Sequence, residues 1–193
     1  MNDNSAPIER HPWPPFVPDG AQYLFLGTFP PQPKRWSMPF YYPNRTNDFW
    51  KIMGLIFLND SGALWNGARV CYDLDAIKQL LWREHIALWD TGMAVRRLRD
   101  NASDKFLEIV EPIDLKALLD AHPSITCVIT TGEKATSAIA SQAGIHVPPI
   151  AVPVQCRVGG HAVTLWRMPS TSRAYPLALE KKAAAYRMVF DRR

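Results

Sequence analysis

Cysteine is scarce in this 193-residue chain. Its three copies, Cys71, Cys127 and Cys156, stand far apart and form no C-x-x-C pair. That spacing argues against a disulfide scaffold, a zinc ribbon, a redox pair or an iron–sulfur centre. Cys127 lies inside an apolar run and reads as a core residue. The five histidines (His11, His85, His122, His146 and His161) show no H-x-x-x-H spacing, so no metal site is expected. No apolar run reaches the roughly 18 residues of a membrane span. The first residues, Met1-Asn2-Asp3-Asn4-Ser5, are polar and acidic, unlike a signal peptide. A cytoplasmic location is the expectation, consistent with reduced cysteines. G-x-G-x-x-G and the Gly-rich phosphate loop with its lysine are both missing, which leaves nucleotide use without support. G-x-S-x-G is missing too. Ser170 and Ser172 have no His or Asp at hydrolase-like spacing.

What is present is ordinary for one folded domain: 47% hydrophobic, 21% charged and 11% aromatic residues. That is enough apolar material for a core without covalent or metal staples. The net charge of +4 is small, but it is unevenly spread. From Arg167 to Arg193 there are seven basic residues against Glu180 and Asp191. A second excess, Lys34, Arg35, Arg45 and Lys51, is opposed by Asp48. Such clusters beside a site point to a polyanion partner, and a solvated helix face is the alternative.

Residues 1–20 are proline-rich and read as an extended arm ahead of a single domain, 21–193. Tyr23 to Phe29 is a short apolar run ended by Pro30-Pro31, as expected of a strand buried on both faces. A long loop reaches about Asn44. Asn47 to Leu58 has helical spacing through Phe49, Trp50, Met53, Ile56 and Phe57. Asp73 is placed to cap a helix with Leu74, Ile77 and Leu81 on one face. Further strands are expected at Ile86–Thr91, Thr126–Thr131 and Val163–Met168, with an edge strand near Val152–Cys156. Helices are expected at Asp114–Ala121, from Glu133, and from Pro176 onward. Alternating strands and helices predict an α/β fold with a parallel sheet covered on both sides. Ligands bind such sheets at the carboxyl ends of the strands. Here those ends carry the loops Gly27–Asn44, Asp90–Gly92, Thr131–Glu133 and Pro169–Tyr175.

The first loop interleaves Phe29, Trp36, Phe40, Tyr41 and Tyr42 with Lys34, Arg35 and Arg45. Stacking faces beside cations suit an unstacked base next to a phosphate backbone. Three consecutive aromatics in a proline-punctuated loop are not expected to be buried together. Trp50 also reads as a core residue.

Four segments resemble motifs of the uracil-DNA glycosylase superfamily, nearest its hypoxanthine and mismatch-specific uracil branches. Gly27-Thr28-Phe29-Pro30, with Tyr41-Tyr42-Pro43 and Asn47-Asp48-Phe49-Trp50, resembles the first motif region. Ala87-Leu88-Trp89-Asp90-Thr91 resembles the second conserved strand. Thr131-Gly132-Glu133-Lys134-Ala135 resembles the third-strand turn, and Met168-Pro169-Ser170-Thr171-Ser172 the final motif loop. They occur in order over roughly residues 23 to 190. The resemblance implies a three-layer α/β/α sandwich with a short, mostly parallel central sheet. It implies flipping of a deaminated base, such as uracil, hypoxanthine or xanthine, and hydrolysis of its N-glycosidic bond. No cofactor or metal is implied, and DNA holding the damaged base is the partner of a monomer.

Such a reaction puts oxocarbenium character on the sugar and negative charge on the leaving base, so both need stabilising while a water is placed behind the sugar. By the resemblance, the catalytic candidates are Asn47, Thr28 and Asp90. Asn47 is also well suited to cap a helix, and Asp90 to cap the turn at Gly92. Phe29, Tyr42, Trp50, Thr131 and Met168 are the base-contact candidates. Lys34, Arg35, Arg45, Ser170, Thr171, Ser172, Arg173, Tyr175, Lys181 and Lys182 are the DNA-contact candidates, with Arg173 or Tyr175 as the wedge into the stack. Arg96, Arg97 and Arg99 extend the possible phosphate track. The pattern departs from the superfamily at three places. Phe29 stands where the water-activating Asp or Asn is usual, Met168 where His is usual, and Thr131 where a base-reading Asn is usual. A non-catalytic DNA-binding relative is therefore the alternative, followed by a small-molecule hydrolase using the same cleft.

Overall fold

The computed structural model describes residues 6–98 and 106–191. Arg99, Arg192 and Arg193 lie outside the described residues. Five strands form the central sheet in the order β5 (Ile86–Asp90), β2 (Tyr23–Gly27), β8 (Cys127–Thr131), β10 (His161–Met168) and β9 (Val154–Val158). The first four run parallel, and β9 closes the edge antiparallel to β10. Every residue of β2 is buried, which explains its unbroken apolar run.

Alternation along the strands sorts the core onto two faces. Tyr23 and Phe25 of β2 and Trp166 of β10 pack with α1 (Phe49–Phe57), α2 (Leu74–Arg83) and α5 (Leu179–Arg187). Leu24 and Leu26 point the other way, to α3 (Leu115–Ala121) and α4 (Glu133–Ala143). The three-layer α/β/α sandwich expected from the sequence is thus the observed one. The expected cap at Asp73 is present: its carboxylate accepts the Ala76 N–H. Gly132, at φ 114°, supplies the backbone conformation that turns β8 into α4. The last helix starts at Leu179 rather than Pro176, because residues 172–177 fold into turns, with Tyr175 N–H donating to the Ser172 carbonyl.

A second, three-stranded sheet has the order β1 (Ile8–Arg10), β6 (Gly92–Arg97) and β7 (Leu107–Pro112), and β3 (Trp65–Asn66) pairs with β4 (Cys71–Tyr72) in a short ribbon. The arm supplies β1, which pairs antiparallel with β6. The chain then runs along the edge of the central sheet, where Phe16 forms an antiparallel bridge to Leu88 of β5. Glu9 holds Arg97 through two charge-assisted bonds of 2.9 and 3.0 Å, and Arg97 also donates to the Pro30 carbonyl at 3.2 Å. Arg97 is therefore a buried tie between arm and first loop, not part of an exposed phosphate track. Arg96 is paired with Glu108.

The arm also corrects the expectation for the aromatic loop. Phe40 and Tyr41 are both buried, because Phe16 meets Phe40 edge-on and the Tyr41 hydroxyl donates to the Pro14 carbonyl at 2.8 Å. Tyr42 alone of the three stays partly exposed.

Trp166 is a good probe of this packing, being only 2% exposed between the sheet and its helix layer. Trp166→Ala should lower the unfolding free energy by about 3–5 kcal/mol, measured by denaturant titration.

Candidate active site

The parallel strands end in one row. Gly27 of β2 is opposite Asp90 of β5, and Thr131 of β8 is opposite Met168 of β10. The helices following β2 lie on one face and the helix following β8 on the other, so a crevice opens between those strand ends. The cleft there has a volume of about 1120 Å³ and is lined by all four strand-end residues. That exceeds the roughly 300–1,000 Å³ of a typical single-ligand pocket and leaves room for a nucleotide and its flanking phosphates.

Asn47 lines the cleft just before α1. Its Oδ1 accepts the Phe49 N–H at 2.9 Å. A backbone N–H can be met only by the oxygen, so the amide orientation is fixed. The cap residue of α1 is Asp48, so Asn47 does not cap the helix as expected but closes a turn one residue ahead of it. Tyr42 reaches the cleft with an unusual backbone, φ 50°, where bulky residues rarely sit. Its ring stacks on Phe49 at 3.7 Å, and its hydroxyl lies 3.1 Å from Thr131 Oγ1. Thr28 is buried at the end of β2, and its carbonyl accepts the Gly92 N–H. Met168 lies wholly buried beneath the floor, and Phe29 forms part of the wall.

Asp90 is the buried carboxylate of the floor. It does not cap the turn at Gly92. Its Oδ2 lies 3.0 Å from His11 Nε2, a residue of the arm to which the sequence assigned no role. The other ring nitrogen, Nδ1, sits 2.7 Å from the Trp13 carbonyl. The Trp13 N–H donates to the same nitrogen at 3.2 Å, so Nδ1 is held against the backbone of one residue and Nε2 is turned to Asp90. Tyr41 stacks on the imidazole at 5.7 Å. Burial, with the Asp90 charge adding to it, pushes the Tyr41 phenol well above its ordinary value, so it stays a neutral donor. Burial likewise pushes the Cys127 thiol up to about 12, which leaves it no nucleophile.

The DNA-contact candidates divide. Arg35, Ser170, Thr171, Ser172, Arg173 and Tyr175 line the cleft. Thr171 is buried, and its carbonyl accepts the Asp48 N–H at 2.8 Å, which ties the final loop to the start of α1. Lys34, Arg45 and Lys181 are exposed but outside the lining, with Arg45 lying over the Trp65 ring at 5.6 Å. Two candidates are misplaced. Trp50 is 1% exposed in the core, where its indole N–H donates to the Tyr41 carbonyl. Lys182 is also 1% exposed, and bonds Asp48 Oδ2 at 2.8 Å and the Ser172 carbonyl at 2.9 Å. It braces the loop from behind instead of facing a phosphate. Among the described residues no cluster of three or more His, Cys, Asp or Glu is placed to hold a metal. No helix among them is long and apolar enough to cross a membrane.

No protein-family model matches the chain. Over 127 residues, 66% of this chain, it is 27% identical to a hypoxanthine DNA glycosylase of Methanosarcina barkeri, covering 73% of that protein. Its fold superposes on the solution NMR structure of a Methanosarcina acetivorans protein provisionally named a uracil DNA glycosylase, with a TM-score of 0.59 at 19% identity. That match covers 95% of this chain and 99% of the other. The fold is uracil-DNA glycosylase-like. Both of these proteins carry names from the superfamily that the four strand-end motifs resemble.

Lys182 and Lys181 should behave differently despite being neighbours. Lys182→Met leaves the Asp48 carboxylate without its buried partner and should cost about 3 kcal/mol in denaturant unfolding. Lys181→Ala, on the exposed face, should stay within about 0.5 kcal/mol of the wild type.

Proposed function

We propose that the protein is a monomeric, monofunctional DNA glycosylase that flips a deaminated base and hydrolyses its N-glycosidic bond. Uracil, hypoxanthine and xanthine are the candidate bases. One observation carries this reading: a fixed carboxamide (Asn47), a buried carboxylate (Asp90) and an aromatic ring (Tyr42) converge at the strand ends of a glycosylase-like fold.

Phe49 covers one face of Tyr42, and the other face receives the flipped base. The three candidate bases share a carbonyl beside a ring N–H. The Thr131 hydroxyl, oriented by that of Tyr42 and able to donate or accept, meets that edge without the fixed polarity of an amide. Asn47 orients the attacking water. As the bond breaks, its electron pair leaves with the base. The water oxygen bonds to the sugar C1′ and its proton passes to Asp90 Oδ1. The departing base then takes a proton from solvent. The Asp90 charge also steadies the oxocarbenium-like sugar. Arg35 and Arg173 hold the flanking phosphates, and Ser170, Ser172 and Tyr175 follow the minor groove.

Oligonucleotides holding each base, single-stranded and opposite each partner, test the proposal. The expected products are free base and an alkali-labile abasic site. Asn47→Ala should slow release at least about 100-fold, while costing about 1 kcal/mol in unfolding for the lost bond to the Phe49 N–H. Salt-sensitive binding without release from any substrate would favour the non-catalytic relative, which Phe29, Thr131 and Met168 motivate. Arg173→Ala with Lys181→Ala should flatten the slope of log affinity against log salt by about 1 to 2.

A further inference from the structure

The arm does more than cover the core. Its His11 enters the site behind the cleft floor. The His11 side chain is 3% exposed and that of Asp90 8%, so neither is solvated. A carboxylate in such a place is costly unless partnered. The imidazole is the partner, and it is held on every side. Its backbone N–H donates to the Met93 carbonyl at 2.9 Å, and Nδ1 bonds the Trp13 carbonyl. Tyr41 stacks on one face of the ring, while Phe29 meets it edge-on at 5.5 Å. The chain just before it is fixed by β1 and by Glu9 on Arg97.

The carboxylate is therefore divided in use. Oδ2 is tied to His11, and Oδ1 lies against Gly27. A Cβ on Gly27 would sit 2.4 Å from Oδ1 and 3.3 Å from the Tyr42 hydroxyl. Glycine is required there, because any side chain would push the carboxylate out of the floor. Oδ1, the Gly27 backbone and the Tyr42 hydroxyl thus meet at one point of the cleft.

We propose that His11 is the positioning residue of the site: it fixes the Asp90 carboxylate so that Oδ1 is presented to the cleft in a set orientation. The proposal rests on the glycosylase reading, and it adds the arm to the reaction machinery. With Nδ1 held by the Trp13 backbone, Nε2 is the ring nitrogen that faces Oδ2. Oδ2 is thereby engaged, and Oδ1 is left as the oxygen to receive a proton from water. A ring that merely glued the arm to the sheet would matter to stability and not to the rate.

The test compares the wild type with H11F, H11Q, D90N and the H11F/D90N double variant. Base release is measured as kcat and KM on a substrate the wild type processes, beside the melting temperature of each protein. H11F keeps the aromatic packing and removes both nitrogens. It should lower kcat about 10- to 100-fold, with KM changed less than about twofold. H11Q places an amide donor near the position of Nε2 and should restore most of the rate. The double variant should be no slower than D90N alone, since both changes break one unit. Full kcat in H11F with only a lower melting temperature would overturn the positioning role and leave the glycosylase reading intact. A wild type that releases no base from any substrate would overturn both.

Discussion

A carboxylate at the buried end of a strand cannot stand alone, and the arrangement around Asp90 follows from that constraint. The sheet is covered on both faces, so its strand ends are the places where polar side chains can gather without crossing the core. At β5 the compensating group comes from 79 residues away in sequence. Bringing it there requires the arm to be immobile, which β1, the Glu9–Arg97 pair and the Phe16–Leu88 bridge achieve. The same arm covers Phe40 and Tyr41, so Tyr42 remains the one ring of that run to border the cleft. Site and core share these supports.

The opposite wall is built on a second buried pair. Lys182 joins α5 to the start of α1 through Asp48 and grips the final loop through the Ser172 carbonyl. Asp48 adds its own backbone bond to Thr171. Asn47, whose amide borders the cleft, therefore has its neighbour locked to the loop proposed to face DNA. A charge that the sequence offered for a phosphate is spent on holding two cleft walls in register. Among the described DNA-contact candidates, Arg35 and Arg173 are exposed and line the cleft.

The layers of the fold were legible because each strand is a short apolar run and each helix has a plain stripe. The cleft was legible because ligands in parallel sheets gather at strand ends, and Gly27, Asp90, Thr131 and Met168 all sit there. The second sheet was not. Gly92–Arg97 carries arginines that read as surface cations, and only the distant Glu9 makes Arg97 a buried one. Lys182 misled for the same reason, since its partner Asp48 is 134 residues away. Trp50 followed a motif whose neighbour, Asn47, does line the cleft, but helical spacing turns the next-but-two side chain into the core. His11 left no local signal at all, in a proline-rich stretch with no spacing to any other polar group. The one available clue was indirect: a carboxylate predicted at a buried strand end demands a partner.

The departures in the motifs gain sense from strand adjacency. By resemblance, the first loop should carry the water-activating group at the position Phe29 holds. Phe29 instead packs edge-on against the His11 ring. Gly27, two residues earlier, is directly opposite Asp90 on the neighbouring strand. In the proposed reading the proton-accepting carboxylate stands on the neighbouring strand, at Asp90, and borders the same floor. An aromatic at Phe29 then serves that carboxylate by packing on the imidazole that partners it. The absence of a side chain at Gly27 becomes as necessary as the presence of one at Asp90.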